Sequence, residues 1–160
     1  MEENEFLKLV DDHKGMIVKI CRMYFELKQD QEDLFQEILL QLWNSISKFK
    51  GQSKFSTWAY RVAINTALVY FKKENKQKEV IQSEPGLWYD SSQDDEVKIF
   101  YKAVKHLNKI EKALIIQYLD GLSGEEIAAN LGISPGNVRV KTNRTKQKLQ
   151  DIIKENKYEF

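Results

Sequence analysis

Apolar residues recur every three or four positions along most of the chain, and strict alternation of apolar and polar residues is rare. This spacing predicts amphipathic helices. Only two prolines interrupt the sequence, so long stretches run without a breaker. The predicted helical segments are about 5–27, 31–46, 56–76 and 97–153, the last with turns near Asn108, Gly121 and Gly132. The sequence therefore predicts an all-α chain.

The periodicity is interrupted between residues 82 and 95, where the composition changes. This stretch contains Pro85-Gly86 and Ser91-Ser92, and it carries acids but neither lysine nor arginine. Such a composition is typical of an inter-domain linker, although its apolar Leu87-Trp88-Tyr89 would be unusual in a free one. We therefore predict two small helical domains, 1–80 and 97–160, joined by a linker at 81–96.

A helix-turn-helix is predicted between Leu122 and Leu149. Ser123 and Glu126 have capping-box spacing at the start of one helix, and Gly132 supplies a tight turn. Ser134 then caps the next helix and Pro135 occupies its first position, where no N–H is needed. Helical spacing turns four residues of this second helix inward: Val138, Thr142, Thr145 and Leu149.

The second helix carries five basic residues and no acid between residues 134 and 148. A basic face can simply be solvated, but together with the capped turn it predicts a helix that enters the major groove of DNA. Lys and Arg neutralise phosphates, while Asn or Arg near the helix start can reach base edges. The predicted DNA-binding residues of this helix are Ser134, Asn137, Arg139, Lys141, Arg144 and Lys148.

A second basic segment, residues 48–78, contains eight Lys or Arg and one acid, interleaved with aromatic residues. Cationic grooves that follow the backbone and aromatic rings that stack on unpaired bases are typical of single-strand binding. Trp58 and Tyr70 could equally pack in the core against Trp43 and Leu42. Residues 1–45, by contrast, carry ten acids and five bases. The acids at the start of the second predicted helix suit a helix N-terminus, or they form a patch for a basic protein partner.

Several function classes are disfavoured. The single cysteine, Cys21, cannot form an internal disulfide and is expected to be buried, and no Cys/His cluster has metal-ligand spacing. We see no catalytic triad or phosphate loop, so we expect a non-enzyme without cofactors. The acidic N-terminus does not resemble a signal peptide, and no apolar run is long enough to span a bilayer. A cytoplasmic protein without membrane insertion is expected.

Three stretches resemble sigma-70 family RNA polymerase sigma factors, in particular the extracytoplasmic-function (ECF) group. Residues 33–43 (DLFQEILLQLW) resemble the core-polymerase-binding helix, 49–65 (FKGQSKFSTWAYRVAIN) the promoter-melting segment, and 118–149 the C-terminal helix-turn-helix. Two departures are visible: Leu107-Asn108 stands where the family often has Leu-Pro, and Val140 and Thr142 stand where a small polar residue and a leucine are usual.

The resemblance implies how the chain would act. Asp33, Gln36 and Glu37 would dock on the clamp helices of core RNA polymerase. The loop from Gly51 to Phe55 would hold a flipped base of the −10 element, and Arg139, Lys141 and Arg144 would contact the −35 element. The residues implied at the −10 element are Lys50, Gln52, Ser53, Lys54, Phe55, Trp58, Arg61 and Asn65. Partners would be core polymerase and promoter DNA, and the resemblance adds an anti-sigma factor that no residue identifies.

Two other functions are compatible with parts of this pattern. A conventional helix-turn-helix regulator would bind a palindromic operator by itself, as a dimer, and would have no obvious use for the basic aromatic loop. A helical adaptor with a merely solvated basic helix would show no salt-sensitive DNA affinity. The leading prediction is a sigma factor that melts the −10 element and reads the −35 element.

Overall fold

The computed structural model describes residues 2–74 and 95–155, without the side chains of 72–74. These residues form eight α-helices and one 3-10 turn at Ile46–Lys48, with no strand among them. The helices are α1 (Glu3–Asp12), α2 (Lys14–Tyr24), α3 (Lys28–Ser45), α4 (Phe55–Glu74), α5 (Asp95–Val104), α6 (Lys109–Leu119), α7 (Gly124–Leu131) and α8 (Pro135–Glu155). The all-α prediction is confirmed, and the chain divides into two compact units, one containing α1–α4 and one containing α5–α8.

The first unit is built around α2, α3 and α4, which pack against one another pairwise. Ile17, Ile20, Leu34, Ile38 and Leu42 are fully buried at helical spacing. Helix α4 contributes a row of small buried residues, Ala59, Ala63 and Ala67, which lets its neighbours approach closely. Burial of this apolar surface is the main force that stabilises the unit.

The first predicted helix, 5–27, is wrong as a single element. Two helices replace it and meet at His13, whose backbone (φ −114°, ψ 13°) lies outside the helical range. The His13 Nδ1 donates a hydrogen bond to the Leu9 carbonyl (2.7 Å) and so competes with the helical ladder. Gly15, the residue that weakened the pattern, lies inside α2. Helix α2 ends at Tyr24 because Phe25 is extended.

The second unit surrounds α6, of which residues 112–117 are all buried. Helices α7 and α8 pack on it and on each other, and α5 packs on α8. Helix α6 starts with a complete capping box: the Asn108 Oδ1 accepts from the Glu111 N–H (2.8 Å), and the Glu111 Oε1 accepts from the Asn108 N–H (2.9 Å). Asn108 thereby caps the helix, although it departs from the Leu-Pro that the family resemblance led us to expect.

The linker prediction is corrected at one end, because Asp95 and Glu96 already belong to α5. Both acids lie in the first turn of that helix, where they interact favourably with its dipole. The remainder of the predicted linker, 81–94, lies outside the described residues, as do Leu87-Trp88-Tyr89. No helix in the described ranges has the length and apolarity that crossing a membrane requires.

Candidate nucleic-acid interface

The turn between α7 and α8 has the predicted geometry. Ser123 and Glu126 form a capping box at the start of α7. Gly132 ends that helix with φ 70°, a conformation in which a side chain would be strained, and its N–H bonds to the Ala128 carbonyl (2.8 Å). The Ser134 Oγ accepts from the Asn137 N–H (3.1 Å) and caps α8. The structure therefore holds the start of α8 by hydrogen bonds on both sides of the turn.

The inner face of α8 is the predicted one, since Val138, Thr142, Thr145 and Leu149 are all buried. Val138 joins Leu114, Ile127 and Ala128 in an apolar cluster, against which Ile133 of the turn also packs. The two threonines differ. The Thr145 Oγ1 donates to the Lys141 carbonyl (2.8 Å), whereas the Thr142 Oγ1 is buried with no hydrogen-bond partner within the described residues.

The outward face of α8 presents the predicted contacts unevenly. Ser134, Asn137, Arg139, Lys141 and Arg144 are all exposed. Lys148 is instead paired with Glu111, whose Oε1 lies 2.9 Å from its Nζ, and it thus joins α8 to the start of α6. The neighbouring Lys146 is also directed to α6, with its Nζ 4.4 Å from the centre of the Tyr118 ring. The basic face therefore divides into exposed residues near the start of α8 and two lysines bound to α6.

A buried polar pair joins α6 to α7, and the sequence analysis missed it. The Asn130 Nδ2 donates to the Gln117 Oε1 (2.8 Å), and the Gln117 Nε2 donates to the Ala113 carbonyl (2.9 Å). Gln117 is 0% exposed and Asn130 is 4% exposed. Because an unpaired buried amide is costly, this pair favours one relative position of the two helices. An amide in the otherwise apolar run 113–119 was the available signal.

The loop in the first unit is closed by aromatic rings. Phe49 and Phe55, which flank residues 50–54, lie edge to face with ring centres 6.1 Å apart. Trp58 lies against both, at 5.2 Å from Phe49 and 5.7 Å from Phe55. Gly51 lies within the loop with φ 70°, which glycine adopts without strain. The exposed residues of this loop are Lys50, Gln52, Ser53 and Lys54.

The predicted −10 residues thus have two environments. Phe55 and Trp58 are half-buried in the aromatic cluster, so they form the base of the loop rather than its surface. Arg61 and Asn65 are exposed one helical turn apart on α4, beyond Trp58. A further member of the cluster went unrecognised in the sequence: the His13 ring lies 5.1 Å from that of Phe55.

Trp58 and Tyr70, which the sequence allowed to pack in the core against Trp43, contact other rings. The Trp43 ring lies 4.9 Å from that of Phe6, on the side of α3 that faces α1. Tyr70 lies edge to face with Phe25 at 6.0 Å. Trp58 belongs to the loop cluster described above.

Asp33, Gln36 and Glu37 lie on one face of α3, at helical spacing. Asp33 and Gln36 are exposed, and Glu37 is half-buried and accepts a hydrogen bond from the Gln41 amide (3.1 Å). Only Asp30 lies in the first turn of α3, where the helix dipole stabilises acids, so the dipole does not account for Asp33 or Glu37. Desolvation, followed by the charges of Asp30 and Glu32, raises the pKa of Asp33.

Cys21, the single cysteine of the chain, is buried, as the sequence predicted. Burial raises the pKa of the Cys21 thiol to about 12, which favours the protonated form. In the part of the chain that the structure describes, no group of His, Cys, Asp and Glu side chains is arranged to hold a metal ion.

Comparison with known protein families supplies the identification. The family model for sigma-70 region 2 matches residues 9–77, and the model for sigma-70 region 4 matches residues 98–149. The ECF RNA polymerase sigma-E factor of Haemophilus influenzae is 26% identical over 95% of this chain and 89% of the relative. The ECF RNA polymerase sigma factor SigW of Bacillus subtilis is 26% identical over 96% of this chain and 91% of the relative.

The chain belongs to the ECF group of sigma-70 family RNA polymerase sigma factors. The sigma factor matches solved relatives in fold: RpoE of Bartonella quintana, solved with the anti-sigma factor NepR, has a TM-score of 0.75 at 19% identity over 94% of this chain and 97% of that one. CnrH, solved with the cytosolic domain of CnrY, has a TM-score of 0.71 at 19% identity over 96% and 90%. As a sigma factor, the protein binds core RNA polymerase and directs promoter-specific initiation.

Proposed function

We propose that this sigma factor holds promoter DNA at two separate places and core polymerase at a third. The loop 50–54 captures unpaired bases of the −10 element, and the start of α8 reads the −35 element as a duplex. The face of α3 that carries Asp33, Gln36 and Glu37 binds polymerase. The first unit serves melting and polymerase binding, and the second serves upstream recognition. The ring-closed loop is the observation that carries the proposal.

The case for single-strand capture rests on how the loop is built. Its polar residues are exposed while its two ends are held together by Phe49 and Phe55, so the loop can adapt without unfolding. Lys50 and Lys54 supply positive charge for phosphates. A captured nucleobase could stack against the aromatic rings that close the loop. Such stacking contributes about 1–3 kcal/mol per nucleobase. That is comparable with the cost of opening one base-pair step, about 1.4 kcal/mol on average.

The case for duplex recognition rests on the rigidity of α8. Both helices of the motif begin with side-chain caps, and the inner face of α8 is anchored in the apolar cluster. Arg139, Lys141 and Arg144 are exposed along a fixed surface. A helix of this kind fits the major groove, where Arg can contact guanine or phosphate. Lys148, already paired with Glu111, is the weakest of the predicted contacts.

The case for polymerase binding rests on an unfavourable cluster of like charges. Desolvation raises the pKa of Asp33, and the nearby charges of Asp30 and Glu32 raise it further. A basic partner surface would relieve that repulsion on binding.

Because the protein works with the transcription machinery, we further propose that it is cytoplasmic and acts without catalysing a reaction. The relative RpoE was solved with an anti-sigma factor, and we propose a partner of that class here.

The test is run-off transcription with core polymerase on a library of promoters, from which the transcribed sequences are recovered. Wild-type protein should select two elements at a constant spacing. Asp33→Lys with Glu37→Lys should abolish association with core polymerase, while Asp11→Lys with Asp12→Lys, two exposed acids of α1, should not.

The DNA contacts are tested in the same assay. Arg139→Ala with Arg144→Ala should remove selection at the upstream element and leave polymerase binding intact, whereas Lys154→Ala at the end of α8 should have no effect. Gln52→Ala with Ser53→Ala should impair only the downstream element. Tight binding to a palindrome without polymerase would instead identify a conventional regulator.

A further inference from the structure

Val140 occupies the centre of the outward face of the recognition helix. It lies two residues from both Val138 and Thr142, which are buried, and is therefore about 160–200° around the helix axis from each. It is 42% exposed, although it lies between the basic residues Arg139 and Lys141. A helix that enters a groove with its buried face turned away presents this position deepest.

The surroundings of Val140 leave it open to a close approach. The side chain of a helical residue covers the preceding turn, and the residue one turn before Val140 is Gly136, which has no side chain. A Cβ placed at Gly136 would meet nothing within 4 Å. Arg144, one turn after Val140, is exposed on the same side. The DNA backbone and base edges can therefore approach the isopropyl group without displacing a neighbour.

The chemistry of valine restricts what it can read there. An isopropyl group neither donates nor accepts hydrogen bonds, so it contributes nothing to phosphates or to the polar edge of guanine or cytosine. The base-edge group in the major groove that favours aliphatic contact is the 5-methyl group of thymine. We infer that Val140 is a specificity-determining residue that reads a thymine methyl group in the −35 element. This inference rests on the proposed role of α8.

The test uses deoxyuridine, which differs from thymidine only by the missing methyl group. On the promoter recovered by the library selection, each thymidine of the upstream element is replaced singly, and binding of the holoenzyme is measured. Burying one methyl group predicts that one replacement weakens binding by about three- to fivefold. With Val140→Ser, the same replacement should change binding by less than about 1.5-fold, while Val140→Ile should keep the wild-type response.

The outcomes distinguish a failure of the inference about Val140 from a failure of the proposed recognition of the −35 element by α8. If no replacement matters, or if the same replacement matters equally with Val140→Ser, another residue reads the site and the inference is overturned. In that case Arg139→Ala with Arg144→Ala should still abolish upstream selection. If those arginine substitutions also have no effect, α8 does not read the −35 element, and both proposals fail.

Discussion

The loop 50–54 and the recognition helix α8 both present polar and basic residues to solvent, but different forces hold them. Ring contacts among Phe49, Phe55 and Trp58 close the loop at its base, and such contacts tolerate small rotations. Helix α8 packs through Val138 in an apolar cluster, and the Ser134 cap and the Glu111–Lys148 ion pair add directional bonds. The Asn130–Gln117 hydrogen bond joins α6 and α7, two of the helices on which α8 packs. Unpaired DNA has many conformations and duplex DNA has few, so an adaptable loop suits the first and a rigid helix the second.

The largest expected effect comes from the polar pair that supports the rigid region. Gln117→Met should lower the free energy of unfolding of the second unit by about 1–3 kcal/mol, because it removes the acceptor of the buried Asn130 amide. The measurement is chemical denaturation. Asn130→Leu should have a similar cost, and the double variant should cost less than the two singles together. Strict additivity would show that the pair does not fix the helices.

Removing the buried Thr142 hydroxyl, which has no hydrogen-bond partner within the described residues, is expected to stabilise the second unit. Thr142→Val should raise the free energy of unfolding by about 1 kcal/mol, since it replaces an unpaired buried hydroxyl by a methyl group of the same size. Thr145→Val is the matched control, because the Thr145 hydroxyl does donate to the Lys141 carbonyl. The control should give no gain; equal gains at both positions would show that the hydrogen bond is irrelevant.

In the first unit, substitutions of His13 can separate the effect of its ring contact with Phe55 from that of its hydrogen bond to the Leu9 carbonyl. His13→Phe retains a ring beside Phe55, whereas His13→Asn retains a donor for the Leu9 carbonyl. If the ring supports the loop, His13→Asn should reduce open-complex formation about fivefold and His13→Phe by less than about twofold. Permanganate reactivity of unpaired thymines in the −10 element measures this. The reverse order would assign the effect to the helix break instead.

The smallest expected effect concerns Asp33 of α3. A raised pKa means that ionised Asp33 opposes folding, but solvent screens the neighbouring charges at this exposed position. Asp33→Asn should therefore stabilise the free protein only slightly at neutral pH, by no more than about 0.2–0.5 kcal/mol. The gain should shrink as pH falls through the pKa of Asp33 and vanish once the acid is protonated in both states. Thermal unfolding against pH measures it, with Asp11→Asn as the control. Polymerase binding should weaken in the same variant, and an unchanged affinity would place the interface elsewhere.

Local sequence signals were sufficient to predict most of the helices, the capped turn of the second unit and the inner face of α8. These features depend on residues close together in sequence. Serine at Ser123 and Ser134 favours a helix cap, and glycine at Gly132 favours a turn with positive φ. The break between α1 and α2 at His13 could not be predicted from the sequence. It depends on a hydrogen bond from the His13 side chain to the Leu9 carbonyl and on contact of its ring with Phe55, which is distant in sequence. The same holds for the ion pair between Lys148, a predicted DNA contact, and Glu111 of another helix. Contacts between residues far apart in sequence are decided by packing, and only the tertiary structure shows which exposed charges remain available and which rings close the loop.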